Sequence, residues 1–211
     1  MTLSAFLSVI VLLAIGFVAL YVLSIYFKYR KSSYSEASGI SFLKLFFDKG
    51  SYGEFLIFTG LEKLERYHRL MTNIYLPKAD GSTTEIDVLM IAETGIYVFE
   101  SKNYSGWIFG DEKGKNWTQV LENKQKNHFY NPVWQNNGHI TALKYATGLH
   151  NPELYKSYIV FSERCTLKKV NEKNRDRLHF SKEHKNRDRL HFSKSRPWKS
   201  GRRAVPRSDA S

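Results

Sequence analysis

Cysteine is almost absent from this chain. The single residue, Cys165, excludes an internal disulfide framework and suits a reducing compartment. No cluster of Cys and His at metal-ligand spacing is present either, so nothing points to a zinc site built on soft ligands. Charge is missing from a third place. Residues 3–27 (LSAFLSVIVLLAIGFVALYVLSIYF) hold 25 positions without one charged side chain. At about 1.5 Å per helical residue, that run exceeds the roughly 30 Å of a hydrocarbon core. A buried soluble helix rarely runs so long without a charge. No Lys or Arg precedes the run, and it is longer than the ~7–15-residue apolar region of a cleaved signal peptide. Residues 3–27 are therefore expected to anchor the chain in the cell membrane as one uncleaved span. Lys28, Arg30 and Lys31 follow at once. By the positive-inside rule the N-terminus lies outside and everything after residue 28 is cytoplasmic. Tyr21, Tyr26 and Tyr29 fit an interfacial aromatic belt at that end.

Strong basicity is missing from the part that should fold. The 211 residues carry a formal charge of +12, but residues 171–211 hold 13 Lys+Arg against 5 Asp+Glu, and residues 1–170 hold 19 against 15. A sequence-independent nucleic-acid binder usually shows a clearer basic patch. The tail repeats KNRDRLHFSK at 173–182 and 185–194, a period of twelve. Two copies of so short a unit do not make a solenoid. The tail has no apolar periodicity, so it is expected to be disordered, with His179, His184 and His191 solvated. The expected organisation is a membrane anchor with a basic flank over 1–31, a juxtamembrane linker over 32–49, a folded domain over 50–170 and a basic tail over 171–211.

Within the domain, Gly53 and Glu54 open a helical pattern with Ile57, Phe58, Leu61 and Leu64 at helical spacing. Residues 42–47 suggest a short amphipathic piece lying against membrane or domain. Residues 70–76 read as a strand closed by the turn-rich PKADGS. Residues 83–92 and 95–103 read as two more strands. Short strands are possible around 107–109 and 117–120. Asn131-Pro132 is a helix start, with Asn as N-cap and Pro at the first helical position, and Gly148 is its stop. Residues 155–161 form a last strand. The order of helix, three strands, helix and strand predicts an α/β fold with a mixed sheet.

The central pair of strands, EIDVLMIAETGIYVFESK (85–102), places Asp87, Glu100 and Lys102 among apolar residues. Side chains alternate along a strand, so Glu100 shares a face with Val98 and Lys102, and Asp87 with Leu89 and Ile91. If Glu93-Thr94 is a two-residue loop, Ala92 pairs with Gly95, Asp87 opposes Glu100 and Glu85 opposes Lys102. A bulge at Gly95 would shift this by about one residue. Opposed Cβ atoms lie about 4.5–5.5 Å apart. Two half-buried carboxylates at that distance repel unless one is protonated or a cation intervenes. Two readings stand. Either Asp87, Glu100 and Lys102 form a solvated structural network, or Lys102 and a divalent metal neutralise the pair. Hard oxygen ligands suit magnesium better than zinc.

The run of Gly53-Glu54, Glu85-Ile86-Asp87, GIYVFESKNYSG (95–106), Trp117, NPVWQN (131–136) and His139 resembles the nuclease-related domain, NERD. That family resembles the restriction-endonuclease-like PD-(D/E)XK nucleases. The match covers about residues 50–165. The resemblance implies a restriction-endonuclease-like core behind the transmembrane helix and a magnesium-dependent hydrolase of phosphodiester bonds in nucleic acid, DNA before RNA. It implies Asp87 and Glu100 as magnesium ligands, with Glu54 completing the acidic cluster or holding a metal-bound water. Lys102 would orient or deprotonate the attacking water and offset phosphate charge. Gln135 would be an auxiliary polar contact, and His139 a packed residue on the same side of its helix. The alternative is a catalytically inactive module that binds nucleic acid or a protein at the cytoplasmic membrane face.

Overall fold

The computed structural model describes residues 2–111, 113–168 and the backbone of 178–181. The chain begins with α1 (Leu3–Lys31), α2 (Tyr34–Ser38), α3 (Phe42–Phe47) and α4 (Lys49–Leu61). Three strands follow, β1 (His68–Pro77), β2 (Thr83–Ala92) and β3 (Gly95–Lys102). Next come β4 (Gly106–Phe109), β5 (Asn116–Val120), β6 (Lys126–Tyr130) and α5 (Pro132–Thr147). A 3-10 turn (Pro152–Leu154) leads into β7 (Tyr155–Ser162), β8 (Cys165–Lys168) and β9 (Leu178–Ser181). The expected helix, three strands, helix and strand are α4, β1–β3, α5 and β7.

β1, β2 and β3 are antiparallel neighbours, and β7 joins β3 in parallel, giving a mixed sheet in the order β1-β2-β3-β7-β9. Parallel pairing of β3 and β7 needs a long crossover, and β4–β6 with α5 supply it. Gly95 makes the tight β2–β3 turn possible. Its φ is 137°, and a Cβ there would meet the Leu154 carbonyl oxygen at 2.6 Å. Ala92 pairs with Gly95, as expected for a two-residue loop.

Helices cover both faces of this sheet. On one side Val88, Met90, Phe99 and Tyr158 meet Phe55, Phe58 and Leu61 of α4 and Tyr34 of α2. On the other, Ile86, Leu89 and Val98 meet Leu143 and Ile140 of α5. Burying a side chain such as Phe55 contributes about 1.5–3 kcal/mol. A second, mixed sheet in the order β6-β5-β4-β8 packs Trp117 against Phe161, with rings stacked at 6.2 Å. β6 and β8 were not foreseen, being short and largely polar.

α1 is long and apolar enough to cross a membrane, and none of its side chains before Ile25 is buried. Its last turn carries Lys28, Arg30 and Lys31, the sign that suits a helix C-terminus. The stretch 32–49, expected as a linker, holds α2 and α3, with Tyr34 and Leu45 fully buried. α4 starts at Asp48, whose carboxylate accepts the Gly50 and Ser51 amides, and it ends at Leu61, before Leu64. The tail expected to be disordered lies outside the described residues, apart from 178–181, which pair in parallel with β7.

Candidate active site

The pairing of β2 with β3 stops at Val88 and Phe99. Beyond that point the strands part, and Asp87 sits at the parting. Its Oδ2 accepts the Ser101 backbone N–H at 2.7 Å, so a side chain replaces the next rung of the ladder. On the opposite edge the β1 pairing skips one position. Thr72 pairs with Val88 and Ile74 with Ile86, while Asn73 between them has a φ of 53°. The Thr72 hydroxyl donates to the Asp87 carbonyl at 2.5 Å. The break changes the phase of β2. Ile86 packs on the α5 side with Leu89, whereas Val88 and Met90 pack on the α4 side. The expected paired rungs of Asp87 with Glu100 and of Glu85 with Lys102 therefore do not form. The Asp87 carboxylate instead reaches across to β3 in the plane of the sheet.

Glu100 and Lys102 share the α5 face, as alternation along β3 predicted. Glu100 is 1% exposed and has both oxygens engaged. Lys102 Nζ lies 2.7 Å from Oε1, and His139 Nε2 lies 2.9 Å from Oε2. Lys102 Nζ also donates to Gln135 Oε1 at 3.1 Å. Thr84 Oγ1 meets His139 Nδ1 at 2.8 Å. With Glu100 ionised, Nε2 carries the proton it donates.

α5 delivers Gln135 and His139 together because they are four residues apart on one helix. Asn131 caps its start, accepting the Val133 and Trp134 amides. Asn136, fully buried, ties the helix to the sheet. Its Nδ2 donates to the Val98 carbonyl at 2.9 Å and to Ser157 Oγ at 2.8 Å. In NPVWQN, then, Asn131 starts the helix, Gln135 faces Lys102 and Asn136 fixes the docking.

Glu54 arrives from the other side on α4. Gly53 allows the approach, since a Cβ there would meet Ser101 Oγ at 2.6 Å and Asn103 Cβ at 3.0 Å. Burial pushes the Glu54 carboxyl up to about 7, against the lowering effect of the Tyr34 hydroxyl, and Glu85, Asp48 and Glu100 add to the rise. Tyr34 Oη lies 3.3 Å from Glu54 Oε2. Burial also raises Asp87 well above the usual carboxylate range, helped by the charge of Glu100. Burial alone would lower the Lys102 ammonium, but Glu100 beside it overcomes that, and the net direction is up. The pocket thus favours protonated acids at Glu54 and Asp87 and a charged lysine between carboxylates.

All five expected residues, Glu54, Asp87, Glu100, Lys102 and Gln135, gather where β2 and β3 part. His139 is a packed histidine, as expected, and it also holds Glu100. Thr84, Asn136 and Tyr34 were missed. An isolated Thr or Tyr carries no signal of its own, though Asn136 stood within the quoted NPVWQN. Among the described residues, no three His, Cys, Asp or Glu side chains are already arranged as a metal cluster.

The nuclease-related domain matches residues 49–162, more than half of the chain. The chain belongs to the nuclease-related domain family. It is also similar to an uncharacterized protein of Bacillus anthracis, 39% identical over 130 residues. That alignment covers 61% of this chain and 60% of the relative, so the chain spans less than two thirds of that relative's length. No solved structure matches the chain.

Proposed function

We propose that this protein is a magnesium-dependent nuclease held at the cytoplasmic face of the membrane by α1, hydrolysing phosphodiester bonds of nucleic acid, DNA before RNA. The observation that carries this reading is the charged Lys102 at 2.7 Å from Glu100, beside the buried Asp87. The donor set suits a hard divalent cation. Asp87, Glu100 and Glu54 offer only oxygens, and two of these acids are held above their ordinary range by burial and neighbouring negative charge. Asp87 and Glu100 would hold magnesium, with Glu54 joining them. Bound there, the ion would act as a Lewis acid toward a phosphoryl oxygen.

The chain's own groups supply the rest. Lys102 stays charged, so it serves as a cation for a phosphate rather than as a base. Gln135 Oε1 and Glu100 Oε1 aim its ammonium. Glu54 would complete the acidic cluster or hold a metal-bound water; without metal its carboxyl is raised to about 7, so a cation bound there would displace its proton. His139 and Thr84 fix Glu100 so that it does not swing into the sheet.

One observation favours a second reading, an inactive binding module. Both Glu100 oxygens are already occupied by Lys102 and His139. A nuclease assay on the detergent-solubilised full chain decides between them. Cleavage that needs magnesium, stops with EDTA and vanishes in Lys102→Ala supports the enzyme. Oligonucleotide binding without cleavage points to the module.

A further inference from the structure

α3 has six residues, FLKLFF, and two apolar faces. Phe42 and Leu45 point into the core, with Leu45 fully buried. Leu43, Phe46 and Phe47 stand at spacings of three and four, on a different face of the helix. They are 68%, 37% and 79% exposed. Three large apolar side chains on one exposed helical face are not random surface residues.

This face continues the end of α1. Tyr26 lies 6.1 Å from Phe27 and 5.1 Å from Phe42, ring centre to ring centre. Phe42 lies 6.1 Å from Phe46, and Phe46 5.2 Å from Phe47. A row of aromatic rings, with the half-buried Phe42 in its middle, runs from the exposed end of the apolar helix onto α3. The join is firm. Tyr29 is buried, and its hydroxyl donates to the Ile40 carbonyl at 2.7 Å, closing the loop that carries α3. Exposed cations border the same region, with Arg30 and Lys31 on α1, Lys44 on α3 and Lys49 just beyond it.

We infer that α3 is a second membrane contact, lying in the headgroup region of an anionic bilayer with Leu43, Phe46 and Phe47 turned into the acyl boundary. Apolar and aromatic side chains flanked by Lys and Arg are the make-up of an interfacial helix. The inference rests on the placement of α1 in a bilayer under the proposed function. It adds a fixed orientation. With the end of α1 packed into the domain through Tyr29, α1 and α3 together grip one leaflet at two points. α4 begins directly after α3, with Asp48 in an extended conformation between them, and Glu54 lies in its second turn. The candidate active site is thereby held close above the membrane.

Spin labels test this in the full chain, with Cys165→Ser as background and bilayers containing phosphatidylglycerol. Labels replace Leu43, Phe47, Leu12 on α1 and Tyr145 on the exposed side of α5. Collision with oxygen, which concentrates in lipid, is compared with collision with a water-soluble nickel complex. The expected result is a reversal. Oxygen dominates at 12, 43 and 47, and nickel dominates at 145. Nickel dominating at 43 and 47, as at 145, overturns the inference even where 12 is lipid-exposed. Shielding of 43 and 47 from both reagents means that protein covers α3, and also overturns it. Nickel dominating at 12 alone rejects the span but leaves α3 as the membrane contact, so the two ideas fail separately.

Discussion

Replacing Glu54 with Gln removes a titrating group without removing its contacts, because a Gln side-chain oxygen can still accept the Tyr34 hydroxyl. The folded protein raises this carboxyl from 4.5 to about 7. A raised acid binds its proton more tightly in the folded state than in the unfolded one. Its stabilising effect is therefore complete below pH 4.5 and is lost as the pH climbs through about 7. At 1.36 kcal/mol for each pH unit the full effect is about 3 kcal/mol, and partial contact with water reduces it to about 1–3 kcal/mol. Wild type and Glu54→Gln should then be equally stable near pH 4.5, and the variant should lead by about 1–3 kcal/mol near pH 8. Urea unfolding of the solubilised chain in EDTA, at a series of pH values, reads this directly. Titrating groups remote from Glu54 appear in both proteins and cancel in the difference. A difference that does not change with pH, or a wild type more stable than the variant at pH 8, would refute the argument that burial and neighbouring carboxylates strain Glu54.

Asp87→Asn can keep the bond from the Ser101 amide while removing a carboxyl whose ionised form burial and Glu100 disfavour. It should be as stable as wild type or more so without metal. Wild type should gain about 2.7 kcal/mol when magnesium reaches a hundred times its Kd, and the variant nothing. Thermal melting with and without magnesium checks both, and a destabilised, magnesium-indifferent variant would favour a structural network. His139→Ala strips Glu100 Oε2 of its donor and leaves a buried gap, and should cost about 2–4 kcal/mol. Adding Glu100→Gln should return part of that loss in a double-mutant cycle, whereas strictly additive losses would show that the two side chains are not coupled.

Several parts of this fold were legible from residue order because their causes are local. Asn131-Pro132 and Gly148 set the ends of α5 through capping, which acts over a few residues. The β2–β3 turn followed from a two-residue loop before a glycine, and alternation then put Glu100 and Lys102 on one face. The apolar run of α1 needed only length and absence of charge. The break at Asp87 was not legible. It depends on Asn73 in a left-handed conformation on a neighbouring strand and on the Ser101 amide, both distant in sequence. Nor did the spacing of Gln135 and His139 say what they face, because helical period places two residues on a side without naming what lies opposite. Residues 42–47 showed as a short amphipathic piece, but the burial of Tyr34 and Leu45 did not show, because their core partners lie on α1, α4 and the sheet. Sequence alone singled out Asp87, Glu100 and Lys102 as charged residues set among apolar ones. Tertiary structure decided that Gly53 lets α4 approach the end of β3, within electrostatic reach of Glu100, and that burial, not spacing, raises the Glu54 pKa toward neutrality.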